Sequence, residues 1–269
     1  MLRAAHQLID GTPKILDDTL ITALLGSPAV EYINSNVERF QSPRARGLRS
    51  HVLLRSRFAE DRLEHARALG VRQYVLLGAG LDTFAYRQPG WARALRVVEV
   101  DHPASQGAKR ERLAAAGIAV PDNVSYAAID FEHESLADGL RRGGVRHDVP
   151  TFFSWLGVMV YLTEDAIDAV LETVAQFPSP SRIAFTFTQP REPAEGGYAA
   201  GPSLAERAAA AGEPWITYFD PAALEQKFYR LGFSSVEFLT PEESAVRYFA
   251  NRSDDLPVPQ RMAIGIASR

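Results

Sequence analysis

Residues 74–87, YVLLGAGLDTFAYR, limit the possible folds more than any other stretch of the chain. An apolar run, Tyr74-Val75-Leu76-Leu77, stops at Gly78-Ala79-Gly80. That is the pattern of a buried parallel strand ending in a glycine-rich turn. Two glycines separated by one residue let the backbone bend sharply and approach a ligand with no Cβ in the way. In an open α/β sheet, ligands bind at the carboxyl ends of the strands. A second apolar strand, Leu95 to Val100, ends at Asp101. An acid at that point can accept hydrogen bonds from two ribose hydroxyls. Gly78, Ala79, Gly80 and Asp101 are therefore candidates for holding a ribose-bearing ligand.

The turn narrows the ligand. A dinucleotide fingerprint reads G-x-G-x-x-G, and its amides cradle a pyrophosphate. Here Thr83 stands in the third glycine position, and Asp82 places a negative charge where a diphosphate would lie. An acidic loop suits a cationic or zwitterionic ligand better.

Further segments extend the pattern: RAAHQLIDGTPKILDD near the start, RSRFAEDRL before the first strand, LGAGLDTFAYR, EVDHP, AIDFE, SWLGVMVYLTEDAI, and GEPWITYFDPAALEQKFYRLGF near the end. In order and spacing these resemble the S-adenosylmethionine-dependent methyltransferases of the leucine carboxyl methyltransferase group, in their bacterial branch. The resemblance covers most of residues 3 to 250. It implies S-adenosyl-L-methionine as cofactor and an α/β, Rossmann-like class I methyltransferase fold. That fold has a mostly parallel seven-stranded sheet, a terminal antiparallel hairpin and an N-terminal helical cap.

The bounds set by composition agree. At 269 residues the expectation is a single domain over 1–269, with a cap over 1–47 and a possible lid insertion over 191–215. No stretch approaches 18 uninterrupted apolar residues, so no membrane partner is expected. The start, MLRAAHQLID, lacks the apolar core of a secretory signal. Zero cysteines exclude disulfides and cysteine-ligated metals and fit a cytoplasmic protein. A net charge of −4, with arginines interleaved among acids, argues against a nucleic-acid partner.

Hydrophobic periodicity predicts a helix over 50–69, with Val52, Leu53, Phe58, Leu63, Ala66 and Leu69 on its buried side and Gly70 ending it. In residues 1–47, Pro13, Pro28 and Pro43 are expected to break helical stretches. Strands follow near 73–78, 95–100, 124–129, 151–158, 182–188, 234–239 and 261–267. Short helices are predicted over 204–211 and 222–231. The last two strands are expected to be joined by a polar stretch with no helix.

Several side chains are singled out. Asp130-Phe131 closes the third strand. In the family the acid accepts from the adenine amine and the next residue contacts the ring. The cluster Glu132, His133, Glu134 reads as a polar loop in preference to a metal site, and no metal is expected. No G-x-S-x-G elbow is present for a serine hydrolase. An arginine is the natural bidentate partner of the cofactor's methionyl carboxylate. Arg55 and Arg57 are roughly 200° apart around one helix and cannot share a face. The family's motif picks Arg55. Arg87 is expected to anchor Asp82 or the cap. Eukaryotic relatives carry a cofactor-contacting Glu where this chain has Leu156, which also weakens any transfer of their protein substrate. Tyr161 is a candidate contact for the acceptor, and Thr163 is expected to cap the following helix.

The expected chemistry is O-methylation of a small molecule, with no catalytic residue assigned. Alignment of donor and acceptor alone can supply roughly 7–11 kcal/mol of barrier. A carboxylate, with a pKa of about 4, needs no base, whereas a phenol, at about 10, usually does. No histidine is strongly placed at the predicted cleft, which favours a carboxylate, though His102 could turn inward. A non-catalytic relative that binds the same cofactor and an NAD-dependent oxidoreductase are the alternatives, the latter opposed by Thr83 and Asp82.

Overall fold

A computed structural model describes residues 1–130, 134–190, 204–210, 212–252 and 254–269. Among these, seven strands form one sheet: β1 (Gln73–Leu77), β2 (Arg96–Asp101), β3 (Val124–Ala128), β4 (Thr151–Trp155), β5 (Arg182–Thr186), β6 (Ser235–Phe238) and β7 (Ile264–Ser268). Their order is β3-β2-β1-β4-β5-β7-β6. The first five strands are mutually parallel, with Leu77 in register with Val100 on one side and Trp155 on the other. Only β7 runs antiparallel, and it pairs with both β5 and β6. The expected antiparallel hairpin is therefore present, but its second strand lies inside the sheet and its first strand forms the edge. The joining segment is not purely irregular: Pro241–Ser244 is helical and Ala245–Phe249 continues as a wide π-type turn. Thr240 Oγ1 accepts the Glu243 N–H and starts that turn, a capping signal overlooked in a polar stretch.

Strand periodicity splits the core into two layers. Val75, Leu77, Val98, Val100 and Phe153 share one layer with Leu140, Ile167, Leu171 and Phe228. Tyr74, Leu76, Val97 and Phe152 share the other with Leu54, Phe58 and Leu63. Helices thus cover both faces, as a parallel sheet requires.

The strand predicted over 151–158 stops at Trp155. Gly157 takes φ +78°, and its N–H donates to Thr186 Oγ1 at 2.6 Å, so the chain leaves the sheet there.

Helices α1 (Leu2–Ile9), α2 (Leu20–Leu25), α3 (Ser27–Ser35) and α4 (Val37–Gln41) build the cap, and α5 (Pro43–Ala68) leads from it down to β1. The expected breaks at Pro28 and Pro43 are present: α2 gives way to α3 and α4 to α5 there, with each proline in the first turn of the helix that follows. There proline's missing N–H costs nothing. Ser42 Oγ accepts the Ala45 N–H and caps α5 seven residues earlier than predicted. Of the side predicted as buried, Leu53, Phe58, Leu63 and Ala66 are buried, whereas Val52 is only partly so and Leu69 is 47% exposed.

Arg49 on α5 clamps Asp10 with two 2.7 Å bonds and also donates to the Phe40 carbonyl at 2.8 Å. His6 joins Asp10 at 2.8 Å. This buried knot holds the cap on α5.

The remaining helices are α6 (Pro103–Ala115), α7 (Leu136–Arg142), α8 (Glu164–Ala175), α9 (Leu204–Ala210), α10 (Pro221–Arg230) and α11 (Pro241–Ser244). Residues 191–203 and 211 of the proposed lid lie outside the described residues.

Candidate cofactor site

The glycine turn closes tightly on its neighbours. Gly78 and Gly80 take φ +69° and +46°, where side chains are disfavoured. A Cβ on Gly78 would come within 2.5 Å of Val158 Cγ2, so the turn packs directly on the segment after β4. Gly80 N–H donates to Asp101 Oδ2 at 2.5 Å, and His102 N–H donates to Asp101 Oδ1 at 2.8 Å. The turn after β1 and the acid that ends β2 are thus in direct contact, and Asp101 remains partly exposed. Glu99, the other acid on β2, points into the interior, where Lys109 Nζ lies 2.6 Å from its carboxylate and Tyr86 OH donates at 2.8 Å.

Arg55 lies midway along α5 and reaches the segment that follows β4. Its guanidinium lies over Gly157: a Cβ there would fall 2.5 Å from Nη1 and 2.9 Å from Cζ. Among the described residues Arg55 makes no hydrogen bond and no ion pair. Burial and then the nearby Arg3 charge lower its pKa to about 10, while Tyr161 and Asp82 pull the other way. It stays cationic at neutral pH. Arg57, in contrast, is exposed and pairs with Asp61 at 2.8 Å. The two arginines point apart, as helix geometry requires.

Around the loop runs a network of charges. Arg87 donates to both Glu60 oxygens, one at 3.0 Å, and to Thr83 Oγ1 at 3.0 Å. It also stands 3.5 Å from Asp18 of the cap. Thr83, the residue that replaces the third glycine, donates to Asp18 Oδ1 at 2.6 Å. Arg87 is thus the anchor expected for the cap, acting on Asp82 only through its field. Arg3 on α1 donates to the Leu81 carbonyl and lies 3.5 Å from Asp82 Oδ2. Burial by itself would raise the Asp82 pKa, but Arg3, Arg87 and Lys109 outweigh it and hold the carboxyl below its ordinary range.

The third acid, Asp130, follows β3 two residues after its end; the imidazole Nε2 of His102 is 3.9 Å from its Oδ2. Phe131 lies outside the described residues, as do Glu132 and His133. Tyr161 ends a helical turn, Met159–Tyr161, that follows Gly157. Leu156 packs against the layer that contains Phe58 and Phe152. Thr163 caps α8 by accepting the Ala166 N–H at 3.3 Å.

A further side chain beside Arg55 is His51. It sits one turn before Arg55 on the same side of α5, a relation legible in its i, i+4 spacing. Burial and the Arg55 charge push its pKa down to about 3.

A sheet ordered β3-β2-β1-β4-β5-β7-β6, with a glycine turn after β1, an acid ending β2 and another just after β3, has the Rossmann-like class I methyltransferase fold. Residues 1–175 match the family described as leucine carboxyl methyltransferase. YktD of Bacillus subtilis, which bears the name of an S-adenosyl-L-methionine-dependent methyltransferase, is 31% identical over 276 residues, covering 94% of this chain and 90% of that protein. A Streptomyces coelicolor protein with the same type of name is 36% identical over 136 residues, 50% of this chain and 47% of its own length. A duf574 family protein from Streptomyces avermitilis shares the fold with a TM-score of 0.61 at 19% identity, covering 93% of this chain and 95% of that one. The chain belongs to the leucine carboxyl methyltransferase family, and it is an S-adenosylmethionine-dependent methyltransferase.

Proposed function

We propose that this enzyme methylates a carboxylate of a small molecule by aligning it with the cofactor, without general-base catalysis. The observation that carries this reading is the state of four of the described histidines. His51, the imidazole beside Arg55, is held neutral and feebly basic, with a pKa of about 3. His6 is committed to Asp10, and His147 lies on the Phe177 ring. His102 caps α6 by accepting the Ala104 N–H at 3.2 Å. None of these is suited to drawing a proton from a phenol with a pKa of about 10, and an ionised carboxylate needs none drawn.

The residues present fit the cofactor. Arg55 is a cation with no partner among the described residues, suited to the methionyl carboxylate. The Gly78-Ala79-Gly80 turn admits a close approach, and Asp101 beside it is assigned to the ribose. Asp130, with Phe131, is assigned to the adenine. When bound, the cofactor supplies an electrophilic methyl on its sulfonium; the side chains fix its orientation and that of the acceptor. Tyr161 is assigned to the acceptor. Leu156 offers packing where eukaryotic relatives offer a carboxylate, which supports an acceptor other than a protein terminus.

A panel of carboxylic acids and phenols incubated with methyl-labelled donor tests the acceptor class. Turnover should appear with carboxylates and change little between pH 6 and 8, because such acceptors are already ionised there. Turnover confined to phenols would overturn the reading.

The ribose assignment has its own test. Asp101→Asn should weaken S-adenosylhomocysteine binding by about 1.5–3 kcal/mol, the worth of a hydrogen bond to a charged acceptor. Isothermal calorimetry showing unchanged affinity would remove Asp101 from the site.

A further inference from the structure

Asp82 is not fully partnered by the network around it. Its Oδ1 accepts the Phe84 N–H at 2.7 Å. Its Oδ2 faces Arg3 Nη1 at 3.5 Å, the outer limit of a hydrogen bond, while Arg3 Nη2 is committed to the Leu81 carbonyl. An ionised carboxylate offers about four acceptor positions, so Oδ2 retains capacity. The side chain is 19% exposed.

Its location gives that capacity a use. Asp82 follows the turn after β1, and the Arg55 guanidinium lies over Gly157, just after β4. These strands are direct neighbours, with Leu77 in register with Trp155 and a strand spacing of about 4.8 Å. Asp82 also acts on the charge of Arg55. One anionic acceptor and one cationic donor therefore flank the ends of adjacent strands. That is the arrangement needed to hold a zwitterion whose ammonium and carboxylate share a single carbon.

We infer that Asp82 is the subsite for the cofactor's ammonium, opposite Arg55, and that the ammonium takes over from Arg3 as its main counter-ion. The loop acid that repels a diphosphate is thereby the group that selects an amino-acid head. Arg3, carried by α1, places the cap against the same subsite. The inference is independent of the acceptor.

Calorimetry with four thioethers of adenosine tests it: S-adenosylhomocysteine, the 3-aminopropyl analogue that lacks the carboxylate, the 3-carboxypropyl analogue that lacks the ammonium, and 5′-methylthioadenosine. Asp82→Asn should lose at least tenfold affinity for the two ligands that carry an ammonium and stay within twofold for the other two. Equal losses for all four would make Asp82 a support for the loop, and undiminished S-adenosylhomocysteine binding would deny it any contact; either result overturns the assignment. Arg3→Ala provides a check that does not depend on Asp82→Asn folding. Removing the competing cation should leave binding of the 3-aminopropyl analogue equal or tighter. A tenfold fall for that ligand, with 5′-methylthioadenosine unchanged, would refute the subsite.

Discussion

Arg55→Ala should bind S-adenosylhomocysteine more weakly by about 2–5 kcal/mol, roughly 30-fold to several-thousand-fold in Kd. The reason is the state of this arginine in the described structure. It is partly buried, it remains charged, and no acid is bonded to it. A desolvated cation without a partner destabilises the free protein, so an incoming carboxylate gains both the new bonds and relief of that cost. The loss should be selective. 5′-Methylthioadenosine has no carboxylate and should bind Arg55→Ala as it binds the parent. Arg55→Lys should recover only part of the affinity, because an ammonium cannot make the planar two-pronged contact. Arg57→Ala, which removes only the exposed pair with Asp61, should be indistinguishable from the parent. Equal weakening for both ligands in calorimetry would mean that Arg55 supports the fold instead of the ligand.

The largest effect on stability is expected at Lys109, on α6. Lys109 and Glu99 are each 1% exposed and lie 2.6 Å apart. Lys109→Met leaves the Glu99 carboxylate buried with Tyr86 as its remaining donor and should cost about 3–5 kcal/mol of unfolding free energy. Lys109→Met combined with Glu99→Gln should recover much of it, since removing both charges also removes the desolvation cost.

The pH dependence has a definite sign. Burial already raises the Glu99 pKa, and Lys109 and Tyr86 oppose that rise. Without Lys109 the folded-state pKa climbs further above the unfolded value of about 4.3. Between those two values the unfolded chain has released the proton and the folded chain has kept it. Stability of the variant should therefore fall as pH rises through that window, and the deficit against the parent should be smaller at pH 5 than at pH 8. Denaturant melts at the two pH values decide this; a deficit independent of pH would mean that Glu99 is not the group left uncompensated.

What could be read from the residues, and what could not, follows the range of the interactions. The central strands β1 and β4 were legible because their apolar runs are buried on both faces, and β1 ends at Gly78, which turns the chain out of the sheet. The ends of β4 and β5 were overextended, because the departure at Gly157 depends on Thr186, twenty-nine residues away. Prolines marked the helix breaks correctly: Pro28 and Pro43 lie in the first turns of α3 and α5, where a missing N–H costs nothing. Helix geometry was enough to place Arg55 and Arg57 on different sides of α5, and the family resemblance chose between them. His51 stands four positions before Arg55, a spacing that puts it on the same side of the helix, but its burial depends on contacts outside the helix and is not encoded locally. The link from Arg3 to Leu81 and Asp82 spans 78 and 79 positions, and no local pattern encodes it.

The placement of β7 between β5 and β6 has a kinetic consequence. As the chain emerges from the ribosome, the first five strands can assemble in parallel crossovers as each is made. Ser235–Phe238 has no neighbour to pair with until Ile264–Ser268 follows, and Phe185, Phe228 and Phe238 stay partly uncovered for that interval. Such a late, non-local closure leaves an unpaired edge and aromatic surface exposed in a nearly complete intermediate, the species from which aggregation competes with folding.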